Sequence, residues 1–338
     1  MGKRYLGVDL HRNVFTVCVR LESGRNRLEE WPLKRLSDFA RKLKPTDEVA
    51  VESTGNTRLF CGAIIGRVGR VVVVNPMQFK VISHSVKKMD KNDAKNLALF
   101  LSKGLLPEVR LKDKQHTQIA SLSQTRDKLV KLRTVLKNKV NNILANHGIC
   151  LKREALSSEK GLKMVLNMDV DAISQIEIEV IVDQIRSLNK GIAKLESQIK
   201  DEGRKLPGHK NLTSIKGIGD KGASILLSVI GDIKDFPNEG KLASYFGIVP
   251  RVSNSNETMR TGRITKRGSK LGRTTLVQCA LIAKKYSPYL QKFYCRIKRM
   301  RGSGKAIIAT ARKFLGIIYN TLKNKWIFED FANFQLAK

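Results

Sequence analysis

The sequence predicts an α/β N-terminal domain, a helical arm in the middle of the chain and a mainly α-helical C-terminal domain. Strand and helix patterns alternate over about the first 105 residues. Two long stretches with heptad-spaced apolar residues follow, and helical stretches interrupted by Gly and Pro occupy the rest. We place the three parts at residues 1–108, 109–205 and 206–330.

Four strands and a helix are predicted in the N-terminal part. Residues 5–10 and 14–19 alternate as strands do and lie close enough in sequence to form a hairpin. Residues 48–52 form a third strand, and 70–74 form a fourth that is apolar after its first residue, as a strand buried on both faces would be. A helix is predicted over about 87–105.

The middle part is predicted to fold as two long helices that pack together as a coiled coil. Apolar residues recur at heptad spacing over 119–143 and 178–199. Arg126 and Arg133 fall at core positions of the first helix, which also carries Lys131 among its many cations. Such a charge run is usually a solvated face, and here it is also a candidate phosphate-binding face. A linker is expected over 203–207.

Charge is the most informative feature of the composition. The 338 residues include 64 Lys and Arg but only 30 Asp and Glu, a formal net charge of +34. An excess of this size repels itself in the folded state unless a polyanion neutralises it. Nucleic acid is the favoured partner, because phosphate contacts release condensed counterions. A cationic surface for ribosomes or anionic lipid is the alternative, but no basic amphipathic helix with an aromatic apolar side stands out.

The cysteines and the hydropathy predict a soluble protein of the cytoplasm. Five cysteines are odd in number, far apart and without a C-x-x-C pair, which argues against disulfides and a structural zinc site. The mean hydropathy is −0.26, no apolar stretch has the length of a membrane span, and the N-terminus has no signal-peptide pattern.

Four carboxylates in the N-terminal part are candidate metal ligands. Asp9 lies within an apolar strand, Glu52 ends another, and Asp90 and Asp93 share one face of the predicted helix. Such an oxygen-rich set suits Mg²⁺, and two ions there would assist reaction at a phosphodiester. Alternatively, Asp90 and Asp93 only offset neighbouring lysines. Asp9 favours the metal site, because a carboxylate in an apolar strand is costly unless it is paired or bound to metal.

A glycine-rich segment over 214–223 has the form of a helix-hairpin-helix. Lys216, Gly217 and Gly219 lie in its turn, where backbone amides at a helix N-terminus can bind a phosphate. A simple glycine-rich connection between helices is the rival interpretation, since a short Gly-x-Gly pattern is weak evidence alone.

A polar loop after Pro250 opens into a basic segment that ends at Gly268. Its Ser and Asn residues are ordinary turn formers, and the residues alone favour that interpretation. Cations there can also hold a phosphate under attack by a serine hydroxyl. The basic residues of this segment are Arg251, Arg260, Arg263, Lys266 and Arg267.

In this order, the motifs resemble one family, the transposases of IS110-type insertion sequences. These are relatives of Piv-type DNA invertases and are known as bridge-RNA-guided recombinases. The matching segments are Gly7-Val8-Asp9, Val51-Glu52-Ser53-Thr54-Gly55, Val74-Asn75-Pro76, Asp90-Lys91-Asn92-Asp93-Ala94, Ile215-Lys216-Gly217-Ile218-Gly219, Phe246-Gly247-Ile248-Val249-Pro250-Arg251 and Arg263-Ile264-Thr265-Lys266-Arg267-Gly268.

The resemblance implies an RNase H-like (RuvC-like) N-terminal domain whose Asp9, Glu52, Asp90 and Asp93 hold Mg²⁺. It implies a coiled coil in the middle and a nucleophilic serine soon after Arg251, which by spacing is Ser255. The family often has Ser-Gly at this point and this chain has Ser-Asn, so Ser253 stays an alternative.

The family further implies dimers that pair into a tetramer with sites shared between protomers, and a structured non-coding RNA that pairs with target and donor DNA. The expected activity is cutting and rejoining of DNA at the nucleoid through a 5′-phosphoserine. Two rivals remain: a metal-only junction-resolving nuclease, and a non-enzymatic nucleic-acid-binding scaffold.

Overall fold

The computed structural model describes residues 2–75, 79, 89–152, 154–255 and 258–336, and of 253–255 and 258–261 it describes the backbone alone. The chain divides into two compact units, Met1–Leu111 and Lys112–Lys338. Among the described residues, no helix combines the length and the apolar character that crossing a membrane requires.

Five of the described strands form the sheet of the N-terminal unit, in the order β3-β2-β1-β4-β5. The first three form an antiparallel meander, and the last two run parallel to the first. All four predicted strands and the predicted hairpin are confirmed. The strands are β1 (Arg4–Leu10), β2 (Val14–Leu21), β3 (Asn26–Pro32), β4 (Glu48–Glu52) and β5 (Arg70–Val74).

Helices cover both faces of this sheet, because successive side chains of a strand point to opposite faces. On one face, α1 (Leu36–Arg41) and α2 (Thr57–Ile64) pack on alternate strand residues around an aromatic core. On the other face lies α3 (Asp90–Ser102), whose Ala94 and Leu97 are fully buried. Residues 87 and 88 of the predicted helix lie outside the described residues.

Gly7 allows α3 to approach β1 closely. A Cβ atom at this position would lie 2.1 Å from the carbonyl oxygen of Ala94 and 2.4 Å from the amide nitrogen of Ala98. Both are backbone atoms of α3, so a larger residue would displace the helix as a whole. The absence of a side chain at Gly7 therefore sets the distance between the strand that carries Asp9 and the helix that carries Asp90 and Asp93.

The second unit contains the two long helices expected in the middle of the chain, α4 (Lys114–Asn146) and, after the short α5 (Glu159–Leu166), α6 (Ala172–Arg204). Pairing between them runs in opposite directions along the two sequences: Arg126 of α4 bonds Glu196 of α6, and Lys139, further along α4, pairs with Glu177. The two helices are therefore antiparallel.

The expected linker at residues 203–207 is wrong for its first two residues, because α6 runs through Arg204; residues 205–208 form the turn to the next helix. Gly203 lies within α6, where an added Cβ would lie 1.8 Å from Ser224 Oγ, and Leu206 is 3% exposed and belongs to the core. The glycine permits a close helix contact here. Sequence alone does not distinguish that role from the flexibility of a linker.

The remaining helices pack around one core that includes Leu226, Phe246 and Phe314. A two-stranded antiparallel hairpin, β6 (Pro250–Ser255) and β7 (Thr258–Ile264), extends from this helical part. The helices are α7 (His209–Thr213), α8 (Asp220–Ile230), α9 (Glu239–Phe246), α10 (Lys270–Tyr286) and α11 (Pro288–Asn324).

Candidate functional site

Asp9 and Glu52 lie side by side at the carboxyl ends of two neighbouring parallel strands. The register pairs Val8 of β1 with Val51 of β4, so the next residue of each strand is an acid. The strand neighbours of Asp9 and Glu52 point to the opposite face of the sheet. Both acids therefore point to the face on which α3 packs. The Asp9 residue is only 6% exposed, whereas Glu52 is half-buried.

The first turn of α3 supplies the other two predicted carboxylates. Asp90 begins the helix with a side chain that is 59% exposed, and Asp93, one turn further, is buried. Residues three apart on a helix lie on one face. Because Gly7 seats this helix on β1, its acidic first turn lies next to Asp9.

His11 joins this group and was not predicted. It lies just past the end of β1, and its Nε2 is 3.2 Å from an Asp9 carboxylate oxygen and 3.1 Å from one of Asp90. The Asn56 side chain donates hydrogen bonds to the carbonyls of His11 and Arg12 and so fixes the turn. The sequence contained one indication, a His two residues after an acid at a strand end, which is too common a pattern to single out.

These three residues have the spacing of metal ligands. One ligand atom each from Asp9, His11 and Asp90 lies within 4.8 Å of the other two. Among the described residues, no other set of three His, Cys, Asp or Glu side chains comes this close together. Glu52 and Asp93 are not part of this tight group, although Asp93 lies close enough for its charge to act on Asp9.

The electrostatics of Asp9 favour a bound cation. Burial raises the pKa of its carboxyl, and the negative charges of Asp90 and Asp93 raise it further, against the opposing effect of His11. A buried carboxylate surrounded by like charges is costly without a counter-ion. A divalent cation would remove that cost, and the donor set of carboxylate oxygens with one imidazole nitrogen fits such an ion.

The glycine-rich turn of the second unit joins α7 to α8. Gly217 has a φ of +112°, and an added Cβ would lie 2.6 Å from the backbone nitrogen of Ala283 on α10. Lys216 and Gly219 are exposed, and Gly219 caps α8 without a side chain. The first residue of that helix is Asp220, whose carboxylate bonds Arg204.

The hairpin carries both candidate serines in β6, where Ser253 pairs with Arg260 and Ser255 with Thr258. The side chains of these four residues, and residues 256 and 257 altogether, lie outside the described part of the structure. The positions of the two hydroxyls relative to a bound strand therefore stay a prediction.

An open groove with a volume of about 500 Å³ lies at the base of the hairpin. Arg251 and Arg267 line it, and so does Thr265, whose buried Oγ1 has no hydrogen-bond partner among the described residues. Arg263, two residues before Thr265, is exposed. Lys266 has a φ of +54°, and its backbone amide donates a hydrogen bond to the carbonyl of Gly247. The two guanidinium groups are suited to phosphate oxygens.

The predicted cations of α4 have protein partners. Arg126 bonds Glu196, and Arg133 donates to the Asn189 side chain, so both connect the two long helices. Lys131 is 61% exposed and pairs with Asp127 on its own helix. Lys131 is therefore the most accessible of the three.

Two family models match the chain. One, described as the transposase IS116/IS110/IS902 family, matches residues 209–295. The other, a transposase model of the DEDD IS110 type, matches residues 6–149. The second match includes Asp9, Glu52, Asp90 and Asp93.

Relatives of similar length match over most of the chain. A probable family 20 transposase of Pseudomonas aeruginosa is 27% identical over 83% of this chain and 84% of its own length. The transposase for insertion sequence element IS1111A of Coxiella burnetii is 24% identical over 94% of this chain and 89% of its own length. A pilin gene-inverting protein of Moraxella bovis is 27% identical over 97% of this chain and 98% of its own length.

Proposed function

The chain belongs to the IS110 family of transposases, and from this premise we propose that it cuts and rejoins DNA strands at the ends of an insertion sequence. Membership implies an RNase H-like fold for the N-terminal unit, in agreement with its mixed sheet and its helices on both faces. The Moraxella relative is named for inverting a gene, which is a cut-and-rejoin outcome.

The observation that carries the proposal is the acidic site of β1 and α3. Asp9, His11 and Asp90 lie together, with Asp93 close by and Glu52 beside Asp9 in the sheet. We propose that Asp9, Glu52, Asp90 and Asp93 hold Mg²⁺. When bound, the ion would neutralise phosphate oxygens and activate an oxygen nucleophile. The four carboxylates would position the ion, and Asp9, only 6% exposed, would hold it from the buried side.

Ser255 is the proposed nucleophile, with Ser253 as the alternative. The Ser255 hydroxyl oxygen would bond to the phosphorus of a DNA phosphodiester while the bond from that phosphorus to the 3′ oxygen breaks. The leaving 3′ oxygen gains a proton and becomes a free hydroxyl, and the 5′ phosphate stays on the serine. Attack by another strand's 3′-hydroxyl on the phosphoserine rejoins DNA and restores the serine. Arg251 and Arg267 beside the groove support binding of this phosphate.

The other predicted cations are proposed to hold nucleic acid away from the reacting phosphate. Lys216 and the amides at Gly217 and Gly219 would bind a backbone phosphate, as a helix-hairpin-helix does. The remaining proposed contacts are Arg126, Lys131, Arg133, Arg260, Arg263 and Lys266.

The functional parts proposed are residues 1–108, 109–205 and 206–330, with the antiparallel long helices of the second part acting as a coiled-coil arm between protomers. We also propose a dimer that pairs into a tetramer, and a structured guide RNA that pairs with donor and target DNA at the nucleoid. The net charge of +34 supports a nucleic-acid-rich assembly, because it needs many phosphates to neutralise it.

Recombination between a donor and a target plasmid, detected by amplification across the new junctions, tests this proposal. Wild-type protein with its flanking non-coding RNA and Mg²⁺ should give junctions, and omitting the RNA or adding EDTA should abolish them. Asp9→Asn should lower the yield of junctions at least a hundredfold. Asp38→Asn, an acid of the same unit whose side chain is 42% exposed, is the matched control and should keep wild-type activity. Full activity of Asp9→Asn would refute the metal site.

A further inference from the structure

The positive charge is concentrated in the last quarter of the sequence. Residues 258–328 contain 18 Lys and Arg and no Asp or Glu. This stretch of about a fifth of the chain therefore contributes more than half of the net charge of +34. The hairpin accounts for only a few of these cations, so most of them serve another surface.

The densest group lies on the first half of α11. We call it the α11 cationic segment. All its members are exposed. They are Lys292, Arg296, Lys298, Arg299, Arg301 and Lys305.

Packing gives little reason for this composition. Leu290 is buried and Phe293 and Ile297 are partly buried, but every residue from Lys298 to Lys305 is exposed. Gly302, with a φ of +77°, interrupts the helix at this point, and the chain returns to the core at Ala306. Two turns of α11 therefore present their cations without contributing to the core.

The charges of the segment repel one another. Lys292 and Arg296 are four residues apart, and Arg296 and Arg299 are three apart, so they are neighbours on the helix surface and destabilise it. Among the described residues, none of the six forms an ion pair with an acid. Lys313 adds a further cation beside Phe293, with its Nζ 4.9 Å from the ring centroid.

We propose that the α11 cationic segment binds the phosphate backbone of a nucleic-acid duplex. This rests on the proposed function for the kind of partner, and it assigns that partner a surface separate from the reacting phosphate. From Lys292 to Arg301 the helix spans about 14 Å, long enough to contact several phosphates of a duplex. Anionic lipid fits less well, because Met300 is the single large hydrophobic exposed between Lys292 and Lys305.

The test is duplex binding by the triple variant Lys298→Gln/Arg299→Gln/Arg301→Gln. Binding of labelled 30-base-pair DNA and RNA duplexes of arbitrary sequence is measured by fluorescence anisotropy in EDTA, over a series of NaCl concentrations. The variant should lose at least tenfold in affinity for one or both duplexes at about 0.1 M salt. Its slope of log affinity against log salt should be shallower by about 2 to 3. The duplex whose affinity falls more is the partner.

Two controls separate this effect from net charge and from folding. Lys160→Gln/Lys163→Gln/Lys194→Gln removes the same charge from exposed lysines of the same unit and should change affinity by less than twofold. Arg299→Lys/Arg301→Lys keeps the charge and should keep the slope. The Gln variant should melt at or above the wild-type temperature, because it relieves repulsion.

Binding of the same proteins to vesicles containing phosphatidylserine is measured alongside. Equal losses of duplex affinity in the two Gln triple variants, or a loss confined to the vesicles, would overturn the inference. Because no strand is cut in EDTA, that failure would leave the proposed recombination activity untouched.

Discussion

At the residue scale, the acidic site depends on contacts too short for any larger side chain. Gly7 has no Cβ to hold α3 away from β1, and this places the first turn of α3 beside Asp9. His11 then lies between Asp9 and Asp90, with its Nε2 within 3.2 Å of an oxygen of each. The site is therefore defined as much by a glycine and a histidine as by its carboxylates.

Replacing Gly7 by Ala should both destabilise the protein and impair the site. The added Cβ meets backbone atoms of α3 at 2.1 and 2.4 Å, so the helix must move, at a cost of about 2–3 kcal/mol. Urea unfolding and Mn²⁺ titration measure the two effects. Gly62→Ala is the control: its Cβ meets nothing within 4 Å in helix α2, so it should stabilise by about 0.5–1 kcal/mol. A Gly7→Ala variant as stable as wild type would contradict the close packing.

His11→Ala should change the metal preference of the site. An imidazole nitrogen is a better ligand for transition ions than for Mg²⁺, so Co²⁺ affinity should fall about tenfold and Mg²⁺ affinity by less. Isothermal titration calorimetry measures both ions. His147→Ala, which removes a histidine paired with Asp171 in the second unit, should alter neither. Unchanged affinities in His11→Ala would mean that its imidazole is not a ligand of the ion.

At the element scale, the two long helices are held together by apolar residues and by one half-buried ion cluster. A single Glu196 oxygen accepts hydrogen bonds from Arg126 at 2.8 Å and from Lys221 of α8 at 2.9 Å. The cluster therefore joins the antiparallel pair to the helical core of the second unit.

Glu196→Gln should destabilise the protein by about 1–2 kcal/mol at pH 7, because two cations lose their partner. Burial alone would raise the pKa of Glu196, but Lys221 and Arg126 together bring it below its ordinary value of 4.5. The stabilisation is thus complete above pH 4.5 and is lost as the pH falls through the lowered pKa. Urea unfolding from pH 3 to 7 should show the two proteins converging in acid.

Glu177→Gln breaks a more exposed pair with Lys139 on the same two helices and should cost less than about 0.5 kcal/mol at any pH. A Glu196→Gln effect no larger than this, or one that persists unchanged at pH 3, would contradict the role of the cluster.

The elements that sequence could predict are those whose periodicity is unambiguous. The alternating strands β1 and β2, the apolar β5 and the heptad-spaced helices were all predictable from side-chain periodicity. Strand β3 was missed because it lies at the sheet edge, and of its residues Trp31 alone is buried. Gly203 was misread because a close helix contact and a linker both favour glycine. His11 was missed because only the fold brings it to Asp90.

At the scale of the whole molecule, charge and chemistry are distributed unequally. The acidic site belongs to the N-terminal unit, whereas the second unit carries the 71-residue stretch without acids and both candidate serines. The proposed strand transfer needs both kinds of chemistry at one phosphate. We therefore propose that residues of both units act in one strand-transfer reaction.

The most direct test of this claim is a denaturing gel that detects protein covalently attached to labelled DNA after reaction with Mg²⁺ and the flanking RNA. Wild type and Ser253→Ala should give the adduct, whereas Ser255→Ala and Asp9→Asn should give none. An adduct that persists in Ser255→Ala and disappears in Ser253→Ala would move the nucleophile by two residues. Metal-dependent cleavage with no adduct in any variant would contradict the claim and identify a nuclease that uses the acidic site alone.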